Sequence, residues 1–192
     1  SSFLRIQAIE AVGKLKKPEA VEKLADFYDS ADLRVRAAVV KALSNYSNSV
    51  AETTIVSSLR DNESQVRLAG VQACADQNIH SAIPILLYRA KNDTDHDLRY
   101  RCYNVLAKFG TNECLEFLKG ILTDDQKNDT PRVKAAEALL TNNVSGGLNS
   151  VIEVTLRIVQ EDKRKNLRYS LGGLLAKYKD PALEELCRVL IT

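Results

Sequence analysis

Two histidines, four cysteines and a loop of alternating carboxylates are the residues through which this chain could do chemistry. Imidazole titrates near neutrality, so His80 and His96 are the candidate general bases and metal ligands. His80 falls in a turn between two helical stretches and His96 in a polar link, and each reads as a solvated polar residue. Cys74, Cys102, Cys114 and Cys187 could hold zinc as thiolates, yet they show no C-x-x-C spacing and no histidine at zinc-finger distance. Each sits where a helix presents an apolar side chain, so buried, reduced thiols are expected. The loop "DTDHD", Asp93 to Asp97, has the alternating carboxylates of a calcium loop, but its sixth position is Leu98 rather than Gly and its twelfth is Asn104 rather than Glu. Helix capping and pairing with Arg99 or Arg101 is the expected role of these aspartates. The chain is therefore expected to hold no metal and no cofactor and not to be an enzyme.

The elements that carry these residues repeat. The stretch "LRVRAAVVKAL", Leu33 to Leu43, sets Arg36 before a helical run of small and branched apolar residues, and the same arrangement occurs six times, at Arg5, Arg36, Arg67, Arg99, Arg132 and Arg168. Successive arginines lie 31, 31, 32, 33 and 36 residues apart. Fifteen positions after each arginine stand Ala20, Ala51, Ala82, Cys114, Gly147 and Leu183, five of them small, and each opens a second apolar stripe. "AVEKLADFY" places Ala20, Val21, Leu24, Phe27 and Tyr28 on one face, and "CLEFLKGIL" does so for Cys114, Leu115, Leu118, Ile121 and Leu122. Breakers such as "KKP", "SNS" and "GTN" separate the two stripes, and polar links such as "RDNES" separate the repeats. A pair of short amphipathic helices cannot hide its apolar face alone, so the pairs must stack. The expected fold is an all-α, right-handed α-solenoid of six two-helix repeats, approximately 1–31, 32–62, 63–94, 95–127, 128–163 and 164–192. These form a single domain, expected to be part of a longer protein.

The units, an apolar residue and Arg followed by a run ending in Ala-Leu or its equivalent, resemble HEAT repeats, and in particular the short HEAT-like repeats named after phycobilisome lyases. The resemblance runs from Leu4 to Leu190. It implies a non-catalytic protein-protein interaction scaffold or adaptor using the concave face of the solenoid, with a phycobilin-lyase-like enzyme or chaperone component as the alternative. HEAT-like hydroxylases carry His-Glu pairs, whereas here His80 precedes Ser81 and His96 precedes Asp97, so that activity is not expected. The repeat arginines are expected to be structural. Asp32, Asp95 and Asn128, with Asp129 as a rival to Asn128, are N-cap types four residues ahead of their arginines, as is Ser1. Each arginine thus falls near a helix N-terminus, where a cation is disfavoured, and a carboxylate or carbonyl from a neighbouring link is the expected compensation. A row of anion-binding arginines is the competing reading. At the sixth copy Arg164 stands at the cap position, which predicts an irregularity.

Composition limits the partners. Lys and Arg number 27 against 25 Asp and Glu, a net charge of +2, too small to favour nucleic acid or an anionic membrane. No apolar run is long enough to span a bilayer and no signal-peptide layout is visible, so a cytoplasmic location is expected, though a leader could have been removed. The residues 17, 18 and 21 positions after each arginine should face outward from the second helix. They are Glu22, Lys23, Asp26; Thr53, Thr54, Ser57; Pro84, Ile85, Tyr88; Glu116, Phe117, Gly120; Asn149, Ser150, Glu153; and Glu185, Leu186, Val189. One is basic and five are acidic, the wrong sign for a phosphate track. Ile85, Tyr88 and Phe117 are apolar among polar equivalents, which marks them as a protein-binding cluster; a register error of one position would instead make them core. The two glycines of "LGGLL", Leu171 to Leu175, predict a close helix approach.

Overall fold

Helices start where a short polar side chain can accept the first free amide protons. Asp32 accepts from the Arg34 amide at 2.9 Å, Asn48 from Ala51 at 2.8 Å, and Asp95 from Asp97 and Leu98 at 2.9 and 3.1 Å. In the computed structural model, which describes residues 2–161, 164–184, 186 and 188, these caps punctuate an all-helical chain. The helices are α1 (Ser2–Leu15), α2 (Val21–Asp26), α3 (Leu33–Leu43), α4 (Ser49–Ser58), α5 (Ser64–Gln77), α6 (Ile83–Asn92), α7 (His96–Phe109), α8 (Asn112–Thr123), α9 (Asp129–Thr141), α10 (Gly147–Gln160) and α11 (Lys165–Leu175). No strand forms among the described residues. The chain divides into two compact units, Ser1–Val105 and Leu106–Thr192.

In the first unit α1 packs on α3 and α3 on α5, while α2 packs on α4. Helices that carry the repeat arginines thus form one row and their partners a second. The core between the rows is aliphatic, with Val35, Val39, Leu43, Ile55, Leu59 and Val66 all buried. Each such Val, Ile or Leu contributes about 1.5–3 kcal/mol relative to leaving it in water. Small residues set the approach of the helices. A Cβ on Gly13 would lie 2.8 Å from the Ala42 Cβ, and one on Gly70 would lie 2.2 Å from the Ser58 Oγ, so α1 meets α3 and α5 meets α4 too closely for a larger residue. Tyr46, at the end of α3, donates to the Val12 carbonyl at 2.9 Å and ties that helix to α1.

The second unit repeats the scheme, with α9 on α11, α8 on α10, and α9 against both α8 and α10. Leu118, Leu122, Leu139, Val151, Leu167 and Leu171 fill its core. In the column fifteen positions after the arginines, Ala51, Ala82, Cys114 and Gly147 are buried at the start of the second helices, and a Cβ on Gly147 would lie 3.1 Å from the Leu139 carbonyl oxygen. This is a helical repeat fold.

Two sequence expectations fail locally. Phe27 is 45% exposed, because α2 ends at Asp26 and a 3-10 turn over Phe27–Asp29 rotates that side chain off the α-helical stripe. Gly172 and Gly173 have open space where a Cβ would stand, so "LGGLL" marks no close helix approach among the described residues. The irregularity at Arg164 is a left-handed backbone, φ 47°, at the N-cap of α11.

Candidate protein-binding site

Two of the repeat arginines are tied into the links between helices. Arg36, one turn into α3, donates through Nε and Nη2 to the two carboxylate oxygens of Asp61, both at 2.9 Å. Its Nη1 donates to the Ser30 and Ala31 carbonyls at 2.8 and 3.2 Å. Arg67 in α5 makes the same fork to Asp93, 2.8 Å on each arm, and reaches the Asp61 and Asn62 carbonyls, both at 2.9 Å. Each guanidinium therefore clamps the link before its own helix to the link after the following helix. A planar fork on a carboxylate is the strongest neutralisation a cation near a helix N-terminus can find.

The carboxylates are equally occupied. Burial pushes Asp93 upward, but the hydrogen bonds from Arg67 and the Asp95 amide, with the charges of Arg67 and Arg89, hold it below the ordinary carboxylate range. Asp61 is treated the same way by Arg36, the Glu63 amide and Tyr28. Tyr28 donates to Asp61 Oδ2 at 3.1 Å, and burial together with the Asp61 charge pushes its phenol up to about 12. Two aspartates of "DTDHD" are thus engaged, Asp93 by Arg67 and Arg89 and Asp95 by the cap of α7. Arg99 donates to His96 Nδ1 at 2.7 Å. Arg168 lies 5.9 Å from the Tyr169 ring centroid, and Arg5 is exposed and forms no ion pair among the described residues.

At the expected outward positions of the second helices, none of Glu22, Lys23, Asp26, Thr53, Thr54 or Ser57 is buried, and the same holds for Pro84, Ile85, Tyr88, Glu116, Phe117, Gly120, Asn149, Ser150 and Glu153. Leu186 is buried, and Glu185 and Val189 lie outside the described residues. Within the first unit Ile85 is half-buried and Tyr88, one turn later on α6, is 59% exposed. The Arg89 guanidinium stacks 5.7 Å from the Tyr88 ring centroid while its Nε donates to the Leu59 carbonyl at 2.7 Å. Arg89 also reaches Asp93 at 3.3 Å, so the tyrosine stands on the clamp that closes around Asp93. In the second unit Phe117 is half-buried on α8.

The family described as spirochaete HEAT repeat protein matches residues 1–192 in full. The chain belongs to this HEAT repeat family. Its fold is similar to that of a crystal structure of an engineered protein, a structural genomics target, with 14% identity, a TM-score of 0.53, and coverage of 89% of this chain and 87% of that one. No curated protein matches the chain.

Cys74, Cys102 and Cys114 are free and buried, and burial pushes the Cys74 thiol up to about 12 and the other two above the usual thiol range. Such thiols are poor nucleophiles. Cys187 lies outside the described residues. His80 and His96 are both exposed, His80 in a 3-10 turn and His96 at the start of α7.

Sequence reasoning missed one apolar surface. Phe3, Leu4, Leu15 and Phe27 are exposed in the first repeat, and Phe27 lines a hollow of about 420 Å³ together with Ile9, Val12, Ala20, Leu24, Arg5 and Lys23. The signal was the near-continuous apolar spacing of "SFLRIQAIEAVGKL", which leaves no polar face wide enough to take all the solvent contact.

Proposed function

We propose that the chain is a non-catalytic HEAT repeat scaffold that captures another protein through the outward face of its second helices, with Ile85 and Tyr88 as anchors in the first unit and Phe117 as an anchor in the second. The observation that carries this reading is Tyr88, 59% exposed where the equivalent positions of the neighbouring repeats are Ser57 and Gly120. Tyrosine and arginine are enriched among residues that dominate binding energy, and Tyr88 with its stacked Arg89 is such a pair. The charge on this face supports protein rather than nucleic acid, since Glu22, Asp26, Glu116 and Glu153 are exposed against Lys23 alone. No helix among the described residues is long and apolar enough to cross a membrane. The three buried free thiols support a reducing compartment, the cytoplasm.

The test is affinity capture with the full chain and with a Tyr88→Ala, Phe117→Ala double variant. The double variant is expected to lose the captured protein while its helical circular dichroism and unfolding midpoint stay at the parent values. Undiminished capture by a folded double variant overturns the assignment.

A further inference from the structure

Arg132 is a buried repeat arginine that does not close its clamp. It is wholly buried, at 0% exposure, and its Nε donates to the Leu122 carbonyl at 2.9 Å, but neither Nη1 nor Nη2 makes a hydrogen bond. Nη2 lies 3.1 Å from Asp125 Oδ1, close enough for an ion pair but without hydrogen-bond geometry. A buried charge with unmet donors is among the most unfavourable arrangements a fold can keep.

The acceptors that would satisfy it have gone elsewhere. Twenty-five residues after Arg36 stands Asp61; twenty-five after Arg132 stands Arg157, a second cation. The loop carbonyls ahead of α9 are taken by Arg164, whose Nη1 donates to the Lys127 carbonyl at 3.1 Å and whose Nη2 donates to the Asp125 carbonyl. Arg164 Nη1 also binds Asp129 Oδ1 at 2.7 Å, and Arg157 Nη2 sits 3.1 Å from Asp125 Oδ1 and 3.3 Å from the Thr123 carbonyl. Three guanidinium groups thus converge on one loop that answers them with Asp125 and Asp129, while Asp124 faces Lys127 at 3.7 Å. Burial, with the charges of Arg164 and Arg157, weakens the hold of Arg132 on its proton despite Asp125.

We infer that the Arg132, Arg157 and Arg164 cluster binds a phosphate group. Asp125 Oδ1, at 3.1 Å from both Arg132 Nη2 and Arg157 Nη2, stands where a phosphate oxygen would sit. Its side chain is 57% exposed, so it swings into solvent when the anion enters and uncovers Arg132. A tetrahedral dianion supplies acceptors in several directions to donors that arrive from α9, α10 and the cap of α11, and it offers Arg132 and Arg157 more than the one Asp125 oxygen they share. Phosphate free in solution and phosphate carried on a peptide side chain share this chemistry.

The experiment is thermal unfolding and titration calorimetry of the full chain with sodium phosphate, against sodium chloride at matched ionic strength. A saturable rise in the unfolding temperature with phosphate alone is expected, and Arg164→Gln, at the exposed edge, should weaken binding about tenfold. Asp125→Asn removes the competing carboxylate and should tighten binding several-fold, a gain that general screening of surface charge does not produce. A phosphoserine peptide that binds more tightly than inorganic phosphate assigns the group to a protein partner, and equal affinity assigns it to the free ion. Equal effects of phosphate and chloride, or phosphate binding that is unchanged in Arg164→Gln and weakened in Asp125→Asn, overturns the inference.

Discussion

Arg67 in the first unit and Arg132 in the second occupy the same place in the repeat and are buried to nearly the same degree, yet one is closed by a carboxylate fork and two carbonyls and the other by a single carbonyl. The difference lies outside the arginine-bearing helices. Asp93 follows Arg67 by 26 residues, at the end of α6, and points back to it. After Arg132 the repeat lengthens, α10 runs on to Gln160, and Arg157 stands where the carboxylate belongs. One arginine pattern therefore serves two ends. At Arg36 and Arg67 it braces the first unit, and at Arg132 in the second it leaves a buried cation in want of an anion.

The largest effect is expected from removing a closed clamp. Asp93→Ala strips Arg67 of both arms of its fork and Arg89 of its ion pair, which should destabilise the protein by about 3–5 kcal/mol, the cost of leaving a buried charge unpaired. Urea unfolding measures it, and a loss under about 1 kcal/mol would show the clamp to be decorative.

A smaller effect is expected from pH. Asp61 and Asp93 are held below their unfolded values, so the stability they add is complete above an unfolded pKa of about 3.9 and is lost as pH falls through their folded values. The urea midpoint should therefore fall steeply below about pH 4. Asp93→Asn should start lower at pH 7 and fall less, since one of the two titrating groups is gone. Parallel pH profiles for parent and variant would contradict the assignment of the acid limb to these carboxylates.

Most of this architecture is legible in the sequence. The arginine period places α1, α3, α5, α7, α9 and α11, and the column of small residues at Ala51, Ala82, Cys114 and Gly147 marks where the second helices press against the first. Caps such as Asp32 and Asp95 are local, so they could be read directly from neighbouring residues. What could not be read was any feature set by rotation or by residues distant in the chain. Phe27 leaves its stripe because a 3-10 turn changes the angle per residue. Gly172 and Gly173 imply a close neighbour that only packing can supply or withhold. The isolation of Arg132 depends on which of the arginines 132, 157 and 164 reaches the loop carbonyls first, and no spacing rule contains that competition.

The most direct test of the contrast is a pair of unfolding curves, for Arg67→Met and Arg132→Met, in a buffer free of phosphate. Methionine keeps most of the buried stem and removes the charge. Arg67→Met should lose about 1–3 kcal/mol because it leaves Asp93 buried without its fork, whereas Arg132→Met should be neutral or slightly stabilising, since it removes a guanidinium whose donors are unmet. Equal losses in the two variants would mean that Arg132 is as firmly braced as Arg67, and would contradict the division between a closed and an open clamp.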